Sequence, residues 1–216
     1  MRSRAIEAYK TTLRLSDVQR EMLIGILLGD ACLETQNAGR TYRLKIEQGA
    51  AHGDYVRHLY EVFRDWVLSP PRPKQGTTQG VVTLNLAFQT VSHEELRLYG
   101  ELFYENRRKV VPIGIADLLT PRAIAYWYMD DGSMKSSESK GVLFNTQAYR
   151  NAEINILISA LNDFGLVANV RRQADGLQIH VSGRSYERFV ALVEPYVIEA
   201  MRYKVPQPRR TQLPKR

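Results

Sequence analysis

Cysteine is nearly absent from this chain of 216 residues. Cys32 stands alone, so no intrachain disulfide can form and a reducing compartment is expected. No apolar run approaches the roughly 20 residues of a membrane-spanning helix. The basic N-terminal stretch, Met1 to Leu15, lacks the apolar centre of a signal peptide. His52, His58, His93 and His180 show no metal-ligand spacing, and no phosphate-cradling Walker loop is present. Acidic residues are in deficit: 23 Asp and Glu against 30 Lys and Arg leave a net charge of +7. Such a surplus favours a polyanion, either nucleic acid or an anionic membrane surface. No basic amphipathic helix supports the membrane alternative.

What is present is organised around an apolar run that ends on an acid and occurs twice. Leu23-Ile24-Gly25-Ile26-Leu27-Leu28-Gly29-Asp30 returns as Ile124-Ala125-Tyr126-Trp127-Tyr128-Met129-Asp130-Asp131, followed by Gly132. A carboxylate at the tip of a buried helix packs poorly but is well placed to hold a cation at the rim of a core. Two copies imply two such helices side by side, with Asp30 and Asp131 together. Gly25 and Gly29 lie one turn apart on one face, where a second helix can approach. Glycine costs a helix interior about 1 kcal/mol against alanine, so the pair implies close contact.

Around these runs the pattern is mixed. Ser16 with Gln19 forms a capping box for a helix over 17–29. Residues 41–48 alternate, with Tyr42, Leu44 and Ile46 on one face and Arg43, Lys45 and Glu47 on the other, as a half-buried strand does. A helix over 54–67 is stopped by Ser69-Pro70-Pro71-Arg72-Pro73. A strand over 81–88 and a helix over 94–107 complete this half. Thr120-Pro121 opens the second acid-tipped helix. A strand over 142–147, a helix over 151–164, hairpin strands over 168–172 and 177–181 and a helix over 185–196 follow, then a loose basic tail from about 207. Both halves close on a basic corner, Lys109-Val110-Val111-Pro112 and Lys204-Val205-Pro206, at nearly equal distances from Asp30 and Asp131. This is an internal duplication.

These features resemble the LAGLIDADG homing endonucleases in their single-chain, two-motif form, from about Ser16 to Pro206. Leu23 to Ala31 and Ile124 to Gly132 match the nine-residue motif, with Asp30 and Asp131 in its acidic eighth place. The resemblance implies an α+β fold of two pseudo-symmetric αββαββα units, 1–112 and 113–216. The motif helices would meet at the unit interface, and two four-stranded sheets would form a basic saddle over DNA. It implies a monomer that makes a double-strand break in a long asymmetric DNA target by phosphodiester hydrolysis. Mg²⁺ would be the cofactor, with Mn²⁺ substituting and Ca²⁺ supporting binding without cleavage. Asp30 and Asp131 would hold the metal, assisted by backbone carbonyls near Gly29 and Asp130. Lys109 and Lys204 match the corner lysines beside the active-site water. Gln48 and Gln147, with Glu47 as neighbour, match solvent-orienting strand positions. One departure is Tyr126, which replaces the motif's helix-contact glycine; Gly25 opposite leaves room for it.

For recognition, Arg43, Lys45, Arg171, Arg172 and His180 are expected to face the groove. Arg40, Arg72, Lys74, Lys135, Lys140, Arg150 and Arg184 are expected to meet phosphate. Two rivals share the fold: an RNA-splicing maturase bound to its host group I intron RNA, and a non-cutting DNA-binding regulator. Retention of both acidic tips and both lysines favours the nuclease. Tyr128-Met129-Asp130-Asp131 also resembles the YxDD signature of reverse transcriptases, but that signature belongs on a β-hairpin in a much larger chain. An intracellular setting is expected, in a mitochondrion, chloroplast or prokaryotic cytoplasm.

Overall fold

The computed structural model describes residues 4–78, 81–136 and 139–206; the tail beyond 206 lies outside them. A short helix α1 (Arg4–Lys10) precedes α2 (Asp17–Leu28). The capping box at Ser16 forms as expected: its Oγ accepts from the Gln19 N–H, and its own N–H donates to Gln19 Oε1. Then come β1 (Cys32–Glu34), β2 (Arg43–Gly49), α3 (Gly53–Val62), β3 (Arg72–Thr78), β4 (Val81–Gln89) and α4 (Arg97–Phe103). A two-residue pair, β5 (Tyr104–Glu105) and β6 (Arg108–Lys109), and α5 (Ile115–Leu118) lead to α6 (Pro121–Asp131). Thr120 Oγ1 accepts from the Ala123 N–H, so the N-cap is real. The chain continues through β7 (Gly132–Met134), β8 (Val142–Phe144), α7 (Asn151–Asp163), β9 (Ala168–Gln173), β10 (Gly176–Val181) and α8 (Tyr186–Val193) to a 3-10 turn over Glu199–Lys204.

The duplication is visible in the sheets. One has the order β1-β2-β4-β3 and the other β7-β8-β10-β9, all neighbours antiparallel. In β2, Leu44 and Ile46 are buried against the helices while Arg43, Lys45 and Glu47 stand on the opposite, open face. Between the sheets α2 and α6 pack side by side. Every residue from Ala123 to Met129 is buried, as is every residue from Met22 to Leu28. A helix apolar on all sides has to be enclosed on all sides. Trp127 and Tyr128 pack on Phe144, at ring separations of 4.2 and 5.4 Å, and Tyr128 meets Phe189 at 4.9 Å. Among the described residues no helix is long and apolar enough to cross a membrane.

Three local expectations change. Strand β3 was hidden by Pro73, but β3 is an edge strand, where a missing N–H is tolerated. The helix expected over 54–67 ends at Val62 and tightens into a 3-10 turn over Arg64–Trp66, which buries Phe63 and Trp66 together. The helix expected over 94–107 stops at Phe103, because Asn106 and Arg107 adopt positive φ of 49° and 65°. Two consecutive left-handed residues make the tight turn of a hairpin, and this one pairs Tyr104 with Lys109.

Candidate active site

Both central helices end at the same place. The C-terminus of a helix carries about half a negative charge, so two of them tipped with carboxylates make a strongly electronegative point. Three carboxylates converge there. The Asp30 N–H donates to Asp130 Oδ2 at 3.2 Å, and Gln48 Nε2 donates to Asp30 Oδ2 at 2.8 Å and to Asp130 Oδ1 at 3.3 Å. Burial, and then the Asp30 charge, hold Asp130 well above the usual carboxylate range. The same causes, opposed by Lys109 and Lys204, push Asp131 up to about 7. The buried hydroxyl of Tyr55 lies against Asp130, and its own pKa is raised by burial and by that charge.

Two lysines answer the negative charge in matching ways. Lys109 Nζ donates to the Gly29 carbonyl at 2.6 Å; Lys204 Nζ donates to the carbonyls of Met129 and, at 3.0 Å, Asp130. Each ammonium thus sits on the free carbonyls at the end of one helix. Burial lowers both lysine pKa values, against the opposing pull of the aspartates. The routes differ: Lys109 is delivered by the β5–β6 hairpin, and Lys204 by the 3-10 turn. Tyr128 donates its hydroxyl to the Lys204 carbonyl at 2.7 Å and so fixes that turn to α6.

Glycine lets the helices approach. A Cβ on Gly25 would collide with the Ala123 carbonyl oxygen and lie 2.9 Å from Tyr126 Cβ; one on Gly29 would overlap the side chain of Asp130. Gly25 therefore opposes Tyr126, and Gly29 leaves the room that Asp130 fills. Tyr126 reaches past α2, and its hydroxyl lies 2.6 Å from His58 Nε2 on α3.

Register corrects part of the expected site. Cys32 pairs with Lys45 in the first sheet and Ser133 with Leu143 in the second, so the counterpart of Gln48 is Thr146. Thr146 is fully buried and donates to the Leu177 carbonyl. Gln147 instead stands by the β9–β10 turn and donates to Asp175, away from the carboxylates. Glu47 is also not part of the cluster: strand alternation turns it to the open face, where Lys74 and Asn85 hold it. Gln48 is thus the strand residue that touches the carboxylates.

A model of the LAGLIDADG DNA endonuclease family matches residues 20–189. The chain belongs to this family. A probable intron-encoded endonuclease 1 from Wickerhamomyces canadensis is 32% identical over 213 residues, covering 94% of this chain and 90% of the relative. DNA endonuclease I-ChuI from Chlamydomonas applanata is 26% identical over 208 residues, covering 88% and 95%. The solved structure of the homing endonuclease I-WcaI bound to its DNA recognition sequence matches with a TM-score of 0.89 at 30% identity, over 96% of this chain and 94% of that one.

On this LAGLIDADG scaffold the expected DNA-contacting residues divide by strand parity. Arg43, Lys45, Arg72 and Lys74 occupy the open face of the first sheet, since Arg72 registers with Ala87 and Lys74 with Asn85, opposite Glu47 and Gly49 on β2. Arg171 and His180 occupy the open face of the second, in register with Gln178 and Asn169. Arg172 does not join them: consecutive strand residues point to opposite faces, and it registers with Leu177 on the helix side. Arg40 lies in the β1–β2 connection, bonded to the Asn37 carbonyl. Lys140 sits over the Tyr186 ring at 4.5 Å, and Arg184 belongs to the 3-10 turn Gly183–Ser185. Arg150 is the N-cap residue of α7, off the sheets. Lys135 follows β7 and, with Arg171, depresses the His180 pKa after burial has lowered it.

Proposed function

We propose that this LAGLIDADG protein is a site-specific homing endonuclease that hydrolyses both strands of a long, asymmetric DNA target with Mg²⁺. The observation that carries the reading is the meeting of two helix C-termini, three carboxylates and two lysines at one point between two sheets with basic open faces. One chain supplies both halves of that point, so a monomer suffices.

The residues fit a hard divalent cation. The donor set is carboxylate and backbone carbonyl oxygen throughout, and the ammonium groups of Lys109 and Lys204 already occupy cation positions on the carbonyls of Gly29, Met129 and Asp130. Among the described residues no group of three or more His, Cys, Asp or Glu is set to hold a metal ion alone. Mg²⁺ takes one or two carboxylates and completes its shell with water and phosphate. Asp30 and Asp131 are the residues that would hold it, and when bound it stabilises charge on the attacked phosphate and the departing oxygen. Gln48 fixes the orientation of Asp30 and Asp130. Lys109 and Lys204 add fixed positive charge beside the phosphate, in a buried setting where that charge is least screened.

Asp131 gives the site a pH signature. Its carboxyl, near pKa 7 without metal, must lose a proton before it can bind a cation. Mg²⁺ affinity is therefore expected to rise up to about tenfold per pH unit below 7 and to level off above it. Melting curves with and without Mg²⁺ should show a stabilisation that grows from pH 5 to pH 8. A Mg²⁺ effect independent of pH would contradict the assignment.

The decisive experiment is cleavage of a randomised duplex library with Mg²⁺, with EDTA and Ca²⁺ as controls, and sequencing of the ends. Mg²⁺-dependent breaks at one long motif support the reading. Intact DNA, with tight retention of a structured intron RNA, would replace the nuclease by a maturase.

A further inference from the structure

The two lysines are held by unequal means. Lys204 is fixed within its own half: it ends the 3-10 turn Glu199–Lys204, and the Tyr128 hydroxyl of α6 binds its carbonyl at 2.7 Å. Lys109 rides instead on a hairpin of two residue pairs, Tyr104 with Lys109 and Glu105 with Arg108, extended by the Val110 N–H donating to the Phe103 carbonyl at 2.8 Å. A hairpin that short has little stability of its own and needs anchors. Its first strand is pinned within the same half, where the Tyr104 hydroxyl accepts from the Leu33 N–H at 2.9 Å. The strand that carries Lys109 is pinned from the opposite half. Arg108 donates through Nη2 to Glu153 Oε1 at 2.6 Å and through Nη1 to Oε2 at 3.1 Å.

Glu153 is well placed to act as that anchor. It is the third residue of α7, where its buried carboxylate also accepts the Arg150 N–H at 2.7 Å and the helix N-terminus favours negative charge. Burial alone would raise its pKa, but hydrogen bonds from Arg108 and from the backbone of Arg150 and Val111 bring it below the usual carboxylate range. Glu153 thus holds the chain on both sides of Lys109. A guanidinium paired with a carboxylate through two parallel bonds fixes orientation as well as distance. Lys109 follows Arg108 directly, so the fork sets where its side chain starts, and the Gly29 carbonyl, 2.6 Å from Nζ, sets where it ends. The two lysines are related as the halves are. The strands of a duplex laid across both halves are related in the same way, so each ammonium serves one strand.

We propose that Arg108 and Glu153 are positioning residues for Lys109, so that cleavage of one DNA strand depends on a contact between the halves while cleavage of the other does not. This rests on the nuclease reading and adds to it a device that acts on one strand.

The test uses a duplex carrying the site recovered from the library, with a different label on each strand, cut with Mg²⁺ under single-turnover conditions and resolved on a denaturing gel. Lys109→Met identifies the strand that Lys109 serves. Glu153→Gln should slow that same strand by about 10- to 100-fold and the other by less than about twofold, so that nicked duplex accumulates. Arg108→Lys keeps the charge and loses the fork; it should slow the same strand to a smaller extent, and it gives an independent route should Glu153→Gln fold poorly. In the Lys109→Met background Glu153→Gln should add nothing, since the group it positions is gone. Glu21→Gln is the control for a loosened contact between halves. Glu21 holds Thr120 at 3.1 Å and Arg122 at 3.3 Å, near the opposite ends of α2 and α6. Its loss should leave both strand rates within about twofold. Equal slowing of both strands by Lys109→Met, Glu153→Gln or Arg108→Lys, or a further loss in the Lys109→Met background, overturns the positioning role and leaves the nuclease intact. A library that yields no cut site overturns both.

Discussion

Replacing Asp30 and Asp131 together by asparagine is expected to abolish double-strand cleavage, and either single change to slow it by about 10³-fold or more. That corresponds to roughly 4 kcal/mol of transition-state stabilisation. Asparagine keeps the size of the side chain and one acceptor, so Gln48 retains a partner at position 30. DNA affinity should hold or rise slightly, because a negative charge facing phosphate is removed. Plasmid linearisation with Mg²⁺, run beside a gel-shift assay, separates the two effects. Full linearisation by the double variant would end the proposed mechanism.

Gly25→Val is expected to cost about 3 kcal/mol or more. The first carbon added meets the Ala123 carbonyl oxygen, a backbone atom that cannot turn aside. For a chain of this size the melting temperature should drop by roughly 6–12 °C. Cleavage should fall further than stability alone explains, because forcing α2 from α6 also separates Asp30 from Asp130 and Asp131. Gly49→Ala is the control: nothing lies within 4 Å of its added carbon. A Gly25→Val protein with wild-type melting would mean that the helix contact is not tight.

Much of this architecture was legible in the chain. The caps at Ser16 and Thr120 form, the alternation around Leu44 and Ile46 is a strand with its charged face open, and Gly25 and Gly29 mark the contact with α6. What escaped had physical reasons. Pairing Gln147 with Gln48 rested on their similar distances from Asp131 and Asp30, yet the strand register makes the β7–β8 connection shorter still and puts Thr146 in that place. Arg172 looked equivalent to Arg171 because composition is blind to which of two adjacent residues a strand turns outward. The hairpin that delivers Lys109 has no glycine, so its left-handed Asn106 and Arg107 gave no turn signal. The part played by the Asp130 carboxylate, beyond its backbone carbonyl, and that of Tyr55 were hidden for another reason. A carboxylate beside the motif acid becomes a third member of the cluster only when the opposing helix presents Gly29, which is a fact about two helices and not about either alone.

The mismatched contacts between α2 and α6 also govern how such a protein could be taken apart and recombined. Two copies of the first half, brought together by their motif helices, would face Gly25 with glycine and leave a hole where the Tyr126 ring belongs. Two copies of the second half would force Tyr126 and Asp130 into space that only Gly25 and Gly29 vacate. Neither half is its own complement. A chimera that borrows a half from another family member should assemble only when the donor brings small residues to meet large ones at both levels, so the seam is a compatibility code for shuffling halves.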